Sequence, residues 1–193
     1  AGIGALSAFL SLEGFDVTAV EPAGPGFEIV DDIRRALEKQ LTDLDRVFLA
    51  VGVDQLPHDL DPFDVAFSVH VLEHVPDVSA ALKQIDLRLN PGGVSIHVCP
   101  NYSFPFDPHF GVPLVPFRPV ATARLLPDRI TSSGLWKSLN FVTARQVERI
   151  ADQLGATTTF RPGVLGEMVD RLGRDQVFRE RHHRLVNVTD MLF

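Results

Sequence analysis

Cysteine occurs once in the 193 residues, as Cys99, so no internal disulfide can form and the core must hold the fold. That usage fits a reducing compartment such as the cytoplasm. Tyrosine and tryptophan also occur once each, as Tyr102 and Trp136. No apolar run approaches the roughly 18 residues that a membrane-spanning helix needs. Positive charge is scarce as well: 18 Lys and Arg stand against 25 Asp and Glu, a formal net charge of -7. A duplex-binding surface is normally basic, so nucleic acid is not expected as a partner, and a small-molecule substrate stays open. The chain does not begin with Met or with a basic leader segment. Ala1-Gly2-Ile3-Gly4 reads as the middle of a motif, and the chain as a fragment.

What is present is ordinary for one globular domain, with 45% hydrophobic and 22% charged residues. Leu6, Phe9 and Leu10 share a helical face within residues 5–13, and Gly14 follows as a stop. Asp16–Glu21 reads as a short strand ending in an acid. A second amphipathic helix is expected over 27–41, with Val30, Ile33, Leu37 and Leu41 on its stripe. Val47–Val51 and Phe63–Val69 read as buried strands. Val78, Leu82, Ile85 and Leu89 mark a helix ended by Asn90-Pro91-Gly92-Gly93, and Val94–Val98 a further strand. Strands alternating with helices over short loops predict an α/β fold with a mainly parallel sheet covered on both faces.

The rhythm changes at Pro100. Seven of the 14 prolines lie between Pro100 and Pro127, among Tyr102, Phe104, Phe106, Phe110 and Phe117. Proline lacks the amide that strands and helix interiors use, so the stretch is predicted to be irregular. Its aromatic content favours a lid over a disordered linker. Thr143-Ala144-Arg145-Gln146 is a capping box opening a helix that runs to Gly155, and Thr157–Phe160 is predicted as one more strand. The mixed charges beyond Gly163 read as a solvated helix face. The expected organisation is a core over 1–99, an insertion or substrate lid over 100–140, and a helix–strand part of the same domain over 141–193.

Chemistry is suggested first by Gly2-Ile3-Gly4 opening a helix, where bare backbone and free amides suit a ligand. Glu21, at the end of the next strand, can accept from both hydroxyls of a ribose. This geometry serves NAD and S-adenosylmethionine equally. The third glycine of a dinucleotide fingerprint would fall at Ser7, and no Tyr-x-x-x-Lys relay exists, since Phe106 follows Tyr102 at that spacing. Two other readings remain beside a methyltransferase: a nicotinamide-dependent oxidoreductase and a non-catalytic nucleoside-binding module.

The ordered set of Gly2-Ile3-Gly4, Glu21, Phe63-Asp64 through Leu72-Glu73-His74, and Leu89-Asn90-Pro91-Gly92-Gly93 resembles the class I S-adenosylmethionine-dependent methyltransferases. Within them it is most like the bacterial group that includes ubiquinone-type O-methyltransferases. The resemblance implies a Rossmann-like, doubly wound sheet whose first strand is missing from the chain and whose last strand is not evident before Phe193. It implies S-adenosyl-L-methionine as cofactor and methyl transfer to a small-molecule acceptor, at a hydroxyl, by in-line displacement. Ala1, Gly2, Ile3 and Gly4 would pass beneath the methionine part of the cofactor, and Glu21 with Pro22 would hold the ribose. Val53 and Asp54 would border the adenine. Ser68, Val69 and His70 would lie near the methionine carboxylate and the methyl group.

A hydroxyl acceptor calls for a base, and histidine is the natural one. His70, at a strand's carboxyl end, and His109, in the lid, are the catalytic candidates; Asn101, Tyr102 and His109 are the substrate candidates. His74 reads as structural, His97 as a satisfied core histidine, and His58, His182 and His183 as surface residues. Cys99 reads as a buried, inert thiol. Where some ubiquinone-type members carry a second acid, this chain has His70, so no metal is carried over, and histidine and carboxylate spacing forms no metal site.

Overall fold

The computed structural model describes residues 2, 4–22, 32–36, 48–57, 59–161 and 170–181. The chain divides into two units, Ala1–Ala156 and Thr157–Phe193, each treated separately below.

In the first unit, helix α1 (Ala5–Leu12) starts at Gly4, whose φ of 81° is left-handed. A Cβ at that position would overlap the Phe48 ring, so both conformation and space demand glycine. Strand β1 (Ala19–Val20) runs parallel to β2 (Phe48–Leu49), and Ala8 and Ala19 are buried with Val17 and Phe48 packed against them. Of the predicted helix over 27–41, residues 32–36 are described and helical. There the expected stripe is corrected: Ile33 is exposed while Arg34 is buried, its guanidinium 5.8 Å from the Phe48 ring centre. The arginine stem supplies the apolar cover and the aromatic face accepts its charge. Val30, Leu37 and Leu41 lie outside the described residues.

Strand β3 (Phe63–Val69) pairs in parallel with β4 (Leu89–Val98) through helix α2 (Val78–Asp86), the right element order for a crossover unit. Asp77 caps α2 by accepting from the Ala80 amide at 2.9 Å. Asn90-Pro91-Gly92-Gly93 forms no separate turn. It lies inside β4, and the register jumps from Phe63↔Leu89 to Val65↔Val94 to absorb it. Leu89 accordingly opens the strand and does not close the helix. A second correction concerns burial: Val65, Phe67 and Val69, with their partners Val94, Ile96 and Val98, are 41–53% exposed. Apolar alternation marks a face that can be covered; it does not supply the cover. The ladders among the described residues are two parallel pairs and one hairpin, so they do not make the continuous doubly wound sheet that was expected.

The main core joins Leu72, Val78 and Leu82 to Val142 and Ile150, the last on helix α5 (Ala144–Leu154). Thr143 accepts from the Gln146 amide at 3.3 Å and Gly155 closes the helix at φ 72°, both as the sequence predicts. Between β4 and α5 the proline-rich stretch is irregular but not structureless. It holds the hairpin β5 (Phe106–Asp107) and β6 (Val112–Pro113), a 3-10 segment Pro119–Leu125, and helices α3 (Asp128–Thr131) and α4 (Gly134–Ser138). Tyr102, Leu114, Trp136 and Leu139 bury one another there, and Trp136 meets Phe110 and Phe141 edge-on at 5.8 and 5.7 Å. The aromatics interleaved with the prolines thus give the insertion a core of its own.

In the second unit the predicted strand Thr157–Phe160 is not formed: those residues carry no ladder pairing among the described residues. Threonine favours extended backbone, but a strand also needs a partner. Residues 170–174 and α6 (Gln176–Arg181) are helical, with exposed i,i+4 pairs Arg171–Asp175 at 3.2 Å and Arg174–Asp170 at 3.4 Å, the solvated charges that the composition suggested. Among the described residues no helix is long and apolar enough to cross a membrane.

Candidate functional site

The glycine loop and the strand-end acid come together. Glu21 follows β1, its amide donating to Leu49 O at 3.1 Å, and its Oε2 accepts from the Gly2 amide at 2.6 Å across 19 residues of chain. Gly2 itself has φ 57°, so the bend that aims its amide at the carboxylate is one that glycine adopts without strain. Ala1 and Ile3 lie outside the described residues. Val53 and Asp54 belong to a single 3-10 turn, Val53–Gln55, entered through Gly52. Arg88 ties the following residues down by donating to Leu56 O at 2.9 Å and Pro57 O at 3.3 Å.

At the other end of β3, Ser68 shares a 2.8 Å hydrogen bond with His97 Nδ1, so its side chain is engaged with β4. His97 Nε2 is buried with no hydrogen-bond partner among the described residues, and burial holds its pKa below the usual value. Val69 is exposed. His70 ends the strand at φ 54°, left-handed for a residue with a Cβ, while its amide donates to Val98 O at 2.8 Å. Such strain costs of order 1 kcal/mol and persists where surrounding structure imposes it.

A small open cavity of about 360 Å³ lies here, lined by His70, His74, Pro108, His109 and Leu135. The structure therefore brings His70 and His109, 39 positions apart, into one site, and adds His74. The His109 ring meets the His74 ring edge-on at 5.2 Å and the His70 ring at 6.2 Å. Behind them stands Glu73, fully buried, whose Oε1 is 3.2 Å from His70 Nδ1 and 3.5 Å from His109 Nε2. Its Oε2 has no hydrogen-bond partner among the described residues. The other face of His109 meets a second fully buried acid, with Nδ1 at 3.2 Å from Asp107 Oδ2. Asp107 in turn accepts from Tyr102 Oη at 2.9 Å and from the Phe110 amide at 2.8 Å.

His74 is differently placed. Ser138 Oγ stands 2.8 Å from His74 Nδ1 and 2.9 Å from Leu135 O, within hydrogen-bond reach of both. Burial lowers the pKa of His74, against the pull of Glu73 in the opposite direction.

Asn101 and Tyr102 do not line the cavity. Asn101 Oδ1 accepts from the amides of Ser103 and Ala144, both at 3.1 Å, fastening the insertion to the start of α5. Tyr102 holds Asp107, and burial followed by that hydrogen bond raises its phenol above the usual range. Asn140 pins the Leu72–Val75 turn, donating from Nδ2 to Leu72 O at 2.6 Å and Val75 O at 2.8 Å. Glu73, Asp107 and Asn140 were missed by sequence reasoning. Asp107, two residues before His109, was the one signal on the page; Glu73 and Asn140 are joined to the site only by folding. His58, His182 and His183 lie outside the described residues. Cys99, half-buried against the main core, has its thiol pushed up to about 11 by burial and by Glu73, as an inert thiol should.

Comparison with known proteins gives a family. A family model described as "Methyltransferase domain" matches residues 1–159. An uncharacterized protein of Mycobacterium tuberculosis, found in strains CDC 1551 / Oshkosh and H37Rv, is 33% identical over 194 residues. That alignment takes in 93% of this chain and 63% of the relative, so the chain spans less than two thirds of the relative's length. A ubiquinone biosynthesis O-methyltransferase of Paramagnetospirillum magneticum is 39% identical over 99 residues, 48% of this chain and 35% of its own.

Proposed function

The chain belongs to the methyltransferase-domain family, and from that membership we propose that it transfers the methyl group of S-adenosylmethionine to a hydroxyl of a small molecule. The observation that carries the reading is the contact between the Gly2 amide and Glu21. It sets a carboxylate suited to ribose hydroxyls directly against the loop that passes under the rest of the cofactor. Glu21 with Pro22 holds the ribose, Val53 and Asp54 border the adenine, and Gly2 and Gly4, with Ala1 and Ile3, pass beneath the methionine part. Ser68, Val69 and His70 lead from there to the histidine cavity, where the acceptor sits. The family match weighs against the nicotinamide oxidoreductase and the non-catalytic module.

The chemistry asks little of the protein beyond alignment. A lone pair of the acceptor oxygen attacks the sulfonium methyl, the C–O bond forms, and the C–S bond breaks with its electron pair passing to sulfur. The hydroxyl proton leaves to an imidazole of the cavity. His74, whose pKa burial lowers, suits that role better than His109, which faces a carboxylate through each ring nitrogen. His70 and His109 are placed to orient the acceptor.

The test is methyl transfer from radiolabelled S-adenosylmethionine to a panel of hydroxylated, carboxylated and aminated small molecules. Label in the hydroxylated members, lost in Glu21→Ala, is the expected result. Transfer confined to amines or carboxylates would overturn the choice of acceptor, and none with any member, together with no affinity for the cofactor, would overturn the reading.

A further inference from the structure

We propose that Ser138 and Asn140, where the insertion returns towards α5, are positioning residues that hold His74 against the cavity. His74 belongs to a 3-10 turn of three residues, Leu72–His74. Its own backbone bonds are few: the His74 amide donates to Val71 O at 2.9 Å, and the Val75 amide to Leu72 O at 3.3 Å. Hydrogen-bond geometry is poor in such a turn, so the aim of a side chain on it depends on outside contacts.

Those contacts come from one short stretch of chain, 64 to 68 positions further on. Asn140 donates from its backbone amide to Glu73 O at 2.9 Å, and from Nδ2 to Leu72 O at 2.6 Å and Val75 O at 2.8 Å. Its Oδ1 accepts from the Val142 amide at 2.9 Å. One residue thus holds turn carbonyls on both sides of His74, which needs a side chain with two donors and an acceptor. Ser138, the last residue of α4, brings its Oγ to 2.8 Å from His74 Nδ1. The pair grips both the backbone that carries the imidazole and the imidazole itself.

The clamp is anchored in turn. Trp136 and Leu139 are buried in the aromatic core of the insertion, and Val142 is 1% exposed in the main core with Leu72. Between them Phe141 is kept at a left-handed φ of 55°, its ring edge-on to Tyr102 at 5.2 Å. Strain of that kind persists where packing on both sides imposes it. Sequence spacing could not show the clamp, because its two halves meet only on folding.

The kinetic consequence rests on the methyl-transfer reading, in which His74 takes the proton, whereas the geometry is testable without it. Ser138→Ala, Ser138→Thr and Asn140→Asp in the full chain provide the test, each fold checked by circular dichroism. Asn140→Asp keeps the oxygen that Val142 uses and removes both side-chain donors. Should it fail to fold, the milder Ser138→Ala decides. NMR of histidine-labelled protein, assigned with His74→Asn, reads the imidazole directly. Burial holds its titration below the ordinary histidine value against the pull of Glu73 and Asp107, with His109 and His70 also facing it. Lys137, the charged residue of α4, is exposed. A loosened turn admits water, so the midpoint should rise towards the ordinary value in Ser138→Ala and Asn140→Asp and stay put in Ser138→Thr. An unmoved midpoint in Ser138→Ala and Asn140→Asp would overturn the proposal.

With an acceptor from the panel, kcat should fall about tenfold in Ser138→Ala and about a hundredfold in Asn140→Asp, with KM little changed. In a His74→Asn background the same substitutions should have no further effect on kcat, whereas a merely structural role would add its loss in full. Additive losses would therefore overturn the proposal too. A moved midpoint in a protein that transfers no methyl group would leave the positioning standing and remove the methyl-transfer reading. Transfer at the wild-type rate, with the wild-type midpoint in both variants, would do the reverse.

Discussion

At the residue scale, the site is built from side chains whose roles are set by what they face. Cys99 and His97 illustrate two consequences of burial. With its thiol pushed up to about 11, Cys99 carries roughly a hundredfold less thiolate at pH 8 than an open cysteine. Alkylation by iodoacetamide should be correspondingly slow and should climb about tenfold per pH unit towards pH 11; a rate like that of free cysteine at pH 8 would contradict the burial. For His97 the folded pKa lies below its ordinary value. Its neutral form therefore stabilises the fold fully above about pH 6.5, and stability falls as pH drops, because the unfolded chain takes up a proton that the folded chain resists. Melting temperature should decline from pH 7.5 to 5.5, with a shallower decline in His97→Asn; equal slopes would refute the assignment. These roles were only partly legible. Glu21, His70 and His109 stood out by type and place, whereas Glu73 stood only within the motif that carries the resemblance and Asn140 was not singled out. Folding brings Glu73 to His70 and His109 and ties Asn140 to the Leu72–Val75 turn.

At the element scale, local rules succeeded where local forces decide. Thr143 and Gln146 make the predicted cap, Gly155 makes the predicted stop, and β3 has the predicted bounds. Thr143→Ala should cost about 1 kcal/mol and Leu82→Ala, in the main core, about 2–5 kcal/mol, both read from chemical denaturation. A loss in Leu82→Ala no larger than the cap's would mean that α2 and α5 share no real core. Pattern reading failed where a partner decides. Thr157–Phe160 has strand-forming residues without a ladder, and Asn90–Gly93 carries turn residues that a bulge in β4 absorbs. Phe63–Val69 was expected to be buried, yet whether anything lies on its apolar face is a tertiary matter that the strand's own residues cannot encode.

At the scale of the whole molecule, the family match spans residues 1–159, the span that holds both the Gly2–Glu21 contact and the histidine cavity. Alternating strands and helices foretold an α/β chain, whereas the proline–aromatic stretch, expected as an irregular lid, packs an aromatic cluster of its own. Binding that favours the folded chain should be felt as added stability of the whole. A ligand held at a hundred times its Kd adds about 2.7 kcal/mol to unfolding. The most direct measurement is calorimetric titration of S-adenosylhomocysteine and NAD into the chain and into Glu21→Ala. The account predicts binding of the first and not the second, with affinity reduced roughly 10- to 150-fold in the variant, the worth of a hydrogen bond to a charged group at about 1.5–3 kcal/mol. Equal affinity in the two proteins, or preference for NAD, would contradict it.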